Sequence, residues 1–119
     1  MFEIIFYQDA KGNSEVVSYL DELKQRSLTS KTDRIKRQKI LTYIQALATY
    51  GTRIGMPYVR HLENDLWELR PLSDRIFFFL WNEGKFVLLH YFVKKGQKTP
   101  ANEIKKAQKE INDFLERNA

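Results

Sequence analysis

The spacing of apolar positions changes character several times along the chain, and each change predicts an element. Phe2–Tyr7 is a short apolar run of β-formers and predicts a first strand. Gly12 and Asn13 mark a loop, and Asn13 or Ser14 can cap the helix predicted over Glu15–Gln25, whose stripe is Val16, Leu20 and Leu23. Arg26–Lys31 is a polar connector. Ile40, Ile44, Leu47 and Ala48 then recur at helical spacing and predict a second helix over Asp33–Tyr50. Gly51, Gly55 and Pro57 end that pattern in a loop.

From there the period shortens to that of strands. A brief strand at Tyr58–Leu62 precedes Leu66–Arg70, Arg75–Trp81 and Lys85–Val93, with tight turns at Pro71–Asp74 and Asn82–Lys85 that make these last three antiparallel neighbours. Thr99 as N-cap and Pro100 at the first helical position predict a last helix over Ala101–Arg117, striped by Ile104, Ala107, Ile111, Phe114 and Leu115. The fold class is α+β: two N-terminal helices packed on an antiparallel sheet, closed by a C-terminal helix, in one domain spanning 1–119.

Strand alternation assigns the charges to faces. A two-residue turn at Glu83-Gly84 sets Phe77 opposite His90 and Arg75 opposite Phe92. One face then carries Arg75, Phe77, Phe79, Leu88, His90 and Phe92. The other carries Ile76, Phe78, Leu80, Val87, Leu89 and Tyr91, and is expected to pack on the first two helices. The turn at Leu72-Ser73 places Trp67 and Leu69 on that core face, Glu68 and Arg70 on the mixed face, and Arg70 directly opposite Arg75. Facing arginines repel, so this pairing calls either for an anion between them or for a carboxylate such as Glu68 that neutralises one.

Composition narrows the chemistry. The chain lacks cysteine, which removes disulfides, thiolate catalysis and Cys-ligated zinc. Its net charge is +5, from 20 Lys and Arg against 15 Asp and Glu, which favours a polyanionic partner or an acidic protein that masks the charge. Met1–Tyr7 has no basic leader pattern and no run approaches membrane-spanning length, so a cytoplasmic protein without membrane association is expected. Gly-rich phosphate loops, nucleophilic serine motifs and metal-ligand spacings are missing, so no metal or cofactor is expected. The candidate constellation is Arg70, Arg75, His90 and the loop lysines Lys94, Lys95 and Lys98. Arginine offers a planar fork for phosphate and lysine a point charge. Bland readings stand beside each: Arg70 pairing only with Glu68, Arg75 as a solvated strand residue, His90 as a core histidine, the lysine loop and the basic start of the second helix as solvated surface.

Several segments together resemble one family. Trp67-Glu68-Leu69-Arg70-Pro71, Arg75-Ile76-Phe77-Phe78, Val87-Leu88-Leu89-His90-Tyr91-Phe92 and Lys94-Lys95-Gly96-Gln97-Lys98-Thr99-Pro100, with Glu103, Ala107, Gly51-Thr52-Arg53 and His61-Leu62, are similar to HigB-type toxins of the phage-derived branch of the RelE/ParE superfamily. The resemblance implies a RelE-like fold and the toxin of a type II toxin–antitoxin pair, a ribosome-dependent, metal-independent endoribonuclease that cleaves mRNA and inhibits translation. It implies a HigA-like helix-turn-helix antitoxin as partner, with operator DNA reached only through that complex. By the same resemblance Arg70, Arg75 and the lysines at 94–98, Lys95 among them, are the expected catalytic positions; the chemistry of the side chains adds His90 as a group able to move protons, and Lys94, Lys98, Lys105, Lys106 and Lys109 as the expected RNA contacts. Where many such toxins carry a tyrosine near the last helix, this chain has Asn102 and Glu103. A ParE-like gyrase inhibitor, or a nucleic-acid-binding module without chemistry, is the competing class on the same fold.

Overall fold

The computed structural model describes residues 1–119. Strand β1 (Glu3–Phe6) leads into helices α1 (Glu15–Arg26) and α2 (Lys31–Tyr50), a single 3-10 turn at Gly51–Ile54, strands β2 (Val59–Glu63), β3 (Leu66–Leu69), β4 (Asp74–Trp81) and β5 (Lys85–Val93), and helix α3 (Ala101–Arg117). Ser14 caps α1 by accepting from the Val17 amide at 3.2 Å, and Ser30 caps α2 by accepting from the Asp33 amide at 3.2 Å. That second cap starts α2 two residues ahead of the expected Asp33. The start of α3 is also revised: Pro100, not Thr99, occupies the N-cap position, and no side chain caps this helix.

The five strands form one sheet in the order β1-β5-β4-β3-β2. The expectation of an antiparallel sheet is corrected at one edge. β1 pairs with β5 in parallel, Ile5 opposite Val87, because two helices separate β1 from the strands that follow. The remaining pairings are antiparallel.

The expected register between β3 and β4 is present, with Trp67 opposite Phe78, Glu68 opposite Phe77 and Leu69 opposite Ile76. Between β4 and β5 it is present only at the open end, where Arg75 faces Phe92. At the closed end Trp81 pairs with Lys85 across a three-residue turn, Asn82-Glu83-Gly84, all at positive φ. A bulge between Ile76 and Phe78 absorbs the extra residue. The expected Phe77–His90 rung is therefore absent as a backbone pair, although the two rings still meet edge to face, 5.4 Å apart.

The bulge also redistributes faces. Ile76, Phe78, Phe86 and Leu88 join Trp67, Leu69 and Tyr91 against α1 and α2, whereas Val87 and Leu89 lie with Phe77, Phe79 and Phe92 on the opposite side. Nor is the mixed face open to solvent: α3 covers it through Ala107, Ile111 and Phe114. The sheet is thus buried on both sides, and charge can reach solvent only at its margins. No helix is long and apolar enough to cross a membrane.

Candidate functional site

One such margin lies where β3 ends and β4 begins. Strand β3 stops at Leu69, and the Arg70 amide beyond it donates to the Tyr58 carbonyl at 2.9 Å, extending the pairing toward β2 by one bond. Pro71, which has no N–H, follows. Leu72 then takes a positive φ of 56°, and the Asp74 amide closes the turn onto the Pro71 carbonyl at 3.0 Å. The Lys94 amide donates to Ser73 O at 2.8 Å, which ties the exit of β5 to the same turn. Three segments distant in sequence are thereby held at one point.

The result is an open cleft of about 520 Å³ whose lining includes Arg60, Arg70, Arg75 and Lys94, with Leu72, Ser73, Gly96 and Gln97 around them and no acidic side chain. Arg70 and Arg75 are not a rung of the sheet, as the register extrapolated past Leu69 would make them, but they share this cleft. Arg75 is buried, and its Nη1 donates to the carbonyls of Leu72 and Asp74, both at 2.8 Å. Burial lowers its pKa from the ordinary arginine value and the nearby charge of Arg70 lowers it further, while Glu68 and Asp74 oppose the shift. Arg70 Nη1 sits 3.0 Å from Met56 Sδ, a weak acceptor, and its Nε lies 3.4 Å from Glu68 Oε2.

The other expected site residues divide. Lys95 and Lys98 lie on the loop after β5 without lining the cleft. His90, expected to be catalytic, is corrected by its burial. It is wholly buried beneath α3, with Nδ1 2.5 Å from Glu110 Oε1 and Nε2 3.0 Å from Glu103 Oε1. An imidazole enclosed by two helix carboxylates cannot touch a substrate in the cleft. The α3 lysines, expected to contact RNA, do not extend the cleft either. Lys106 pairs with Glu15 at 2.7 Å, and Lys105 and Lys109 border a separate hollow beside Glu63. Burial alone would depress Lys106, but Glu15 raises its pKa overall. Part of the basic start of α2 is also engaged, with Arg37 donating to Leu20 O at 3.3 Å and Lys36 3.6 Å from the buried Asp74. That carboxylate also accepts from the Tyr19 hydroxyl at 2.9 Å.

Arg60 is a cleft residue that the sequence pattern alone does not single out. Its one signal is the alternation of β2, which sets Val59 inward and Arg60 outward, opposite Glu68. A second cavity, about 310 Å³, repels rather than attracts polyanions, since Asp9, Glu15, Glu22 and Glu110 line it with Tyr7, Tyr19 and Tyr91. Tyr91 stacks on Tyr19 at 3.8 Å there, and burial raises its pKa.

Fold and cleft together define a small α+β protein with a cationic cleft, lined by Arg60 from β2, Arg70 from the β3–β4 connection, Arg75 from β4 and Lys94 from the loop after β5. The family can be stated as well. Residues 19–112 match the model described as phage derived protein Gp49-like (DUF891), and the chain belongs to that family, part of the RelE/ParE-like toxin superfamily. Among solved structures it is similar to the YoeB-YefM complex from Staphylococcus aureus, at 11% identity over 80% of this chain and 99% of that one, with a TM-score of 0.49. No curated protein matches the chain.

Proposed function

We propose that this protein is the toxin of a type II toxin–antitoxin pair, of the HigB kind, and that it cleaves mRNA on the ribosome in the cytoplasm without a metal. The observation that carries the reading is the convergence of Arg70 and Arg75 on one cleft with Arg60 and Lys94, free of acidic lining. A phosphodiester seated there meets guanidinium forks and an ammonium. The substrate 2′-hydroxyl attacks the adjacent phosphorus and the bond to the 5′ oxygen breaks. The products are a 2′,3′-cyclic phosphate and a 5′-hydroxyl, which takes up a proton equivalent to the one the 2′-hydroxyl loses. Negative charge grows on the phosphorane oxygens, and cations fixed beforehand stabilise that state more than the ground state. Lys95 and Lys98 extend the cationic rim for flanking phosphates or rRNA. A HigA-like helix-turn-helix antitoxin is the proposed partner, with operator DNA bound through it.

The test is induction of the wild-type and Arg70→Ala proteins, with mRNA ends mapped by primer extension and with purified ribosomes added or withheld. Wild-type cuts that need ribosomes and vanish in Arg70→Ala support the assignment. Growth arrest without cuts but with DNA damage returns the protein to the gyrase-inhibitor class.

A further inference from the structure

Beneath the cleft lies a charge that the cleavage chemistry just proposed does not use. Glu68 is wholly buried, and neither carboxylate oxygen has a hydrogen-bond partner. Arg70 Nε and Arg75 Nε are buried and unpartnered as well. A buried carboxylate without hydrogen bonds is costly, and so are two guanidinium groups brought to one point. The three costs offset one another only where the groups share a location. Here they do: Glu68 Oε2 is 3.4 Å from Arg70 Nε, Glu68 acts on Arg75, and Arg60 sits opposite Glu68 on the neighbouring strand.

The outer ends of the same arginines have only weak or one-sided partners. Arg70 Nη1 rests on a thioether, and Arg75 uses Nη1 alone for its two carbonyl bonds. With Nε held from below, a guanidinium turns its Nη edge toward the cleft mouth. A planar fork is selective for phosphate only when its plane is fixed.

We propose that Glu68 is the positioning residue of this cleft, its buried carboxylate holding Arg70 through Nε and Arg75 through charge so that both forks face one phosphodiester. It touches no substrate, since its oxygens are enclosed. This rests on the nuclease reading for its consequence in catalysis, but not for the geometry itself. Glu68 also tempers the cleft. Removing its charge makes the site more attractive to any polyanion and less able to orient one, so binding and turnover move in opposite directions.

The experiment compares wild type, Glu68→Gln and Arg70→Ala in two assays: binding of a single-stranded RNA decamer by fluorescence anisotropy at low salt, and ribosome-dependent mRNA cleavage normalised to folded protein. Glu68→Gln is expected to bind the decamer several-fold more tightly than wild type and to cleave about 100-fold more slowly. Arg70→Ala is expected to lose on both counts. Weakened decamer binding by Glu68→Gln, or wild-type cleavage by it, overturns the proposal, because a residue that only supports the fold would not raise affinity. Nitrogen-15 spectra of wild-type arginine side chains supply a readout that needs neither a folded variant nor RNA cleavage. Arg70 is expected to give a slowly exchanging Nε–Hε signal, because that nitrogen is buried against Glu68, and a signal exchanging as fast as a solvent-exposed arginine overturns the proposal. If wild type cuts no RNA, the nuclease reading fails while the spectra and the decamer still judge Glu68.

Discussion

Glu110 Oε1 lies 2.5 Å from His90 Nδ1, joining α3 to the centre of β5, and Glu103 Oε1 holds the other ring nitrogen at 3.0 Å. The two glutamates are two helical turns apart on α3, so the ring is gripped along the helix axis. Removing the ring strands a nearly buried carboxylate. His90→Ala is therefore expected to cost about 3 kcal/mol of stability, the upper end for leaving a buried hydrogen-bonding group without its partner. RNA cleavage, normalised to folded protein, is expected to fall far less than the roughly 100-fold or more that loss of a general acid or base would cause. Urea unfolding with a cleavage assay checks both. A stable but inactive His90→Ala would return the histidine to the chemistry.

Salt dependence separates the cleft from the rest of the basic surface. For single-stranded RNA, each phosphate that a variant no longer neutralises is expected to flatten the plot of log affinity against log salt by about 0.7. Arg60→Ala and Lys94→Ala, both in the cleft, are expected to show that change in decamer titrations from about 50 to 200 mM salt. Lys106→Ala, whose ammonium is taken by Glu15, is expected to leave the slope unchanged.

Local pattern made most of this molecule legible. Helix stripes mark all three helices, and alternation yields the β3–β4 register together with the inward Trp67 and Leu69. The departures within β4 and β5 share a physical origin in single-residue irregularities. The turn at Asn82-Glu83-Gly84 holds one more residue than its Glu-Gly signal implies, and the compensating bulge moves Leu88 to the opposite face from the one expected. His90 escapes a reading by alternation because its partners come from a helix that the pattern along β5 cannot place. A trace remains in α3, where Glu103 and Glu110 sit on the stripe of Ala107, Ile111 and Phe114. The shared cleft of Arg70 and Arg75 was legible from strand order, while Arg60 requires knowing that β2 pairs with β3.

Gly51 ends α2 with a φ of +67°, and a Cβ there would stand 2.6 Å from a ring carbon of Phe2. The Phe2 ring packs on Phe86 with centroids 4.9 Å apart, so it cannot withdraw from Gly51 without disturbing that contact. Gly51→Ala combines an unfavourable backbone region with a steric clash and is expected to cost about 2–3 kcal/mol. A lowered urea midpoint with an unchanged m-value checks it.

The Tyr7 hydroxyl donates to Asp113 Oδ2 at 2.6 Å, and Arg117 holds the same carboxylate at 2.6 Å. Burial and the bond to Asp113 raise the tyrosine pKa from 10.0 to about 12. A folded-state pKa above the unfolded one favours the folded state while the phenol keeps its proton. The contribution is therefore whole below about pH 10 and is lost as pH rises through about 12. Tyr7→Phe has no proton to lose at this position. At neutral pH it is expected to be less stable than wild type by about 1 kcal/mol, the usual net worth of one hydrogen bond. The gap is expected to close between about pH 10 and 12. Tyr19 and Tyr91, both raised by burial, titrate in wild type and variant alike, so the difference between the two curves isolates Tyr7. Urea unfolding of both proteins at about pH 8, 9.5 and 11 provides the measurement, and a gap that stays constant across that range would show that folding does not raise the tyrosine pKa.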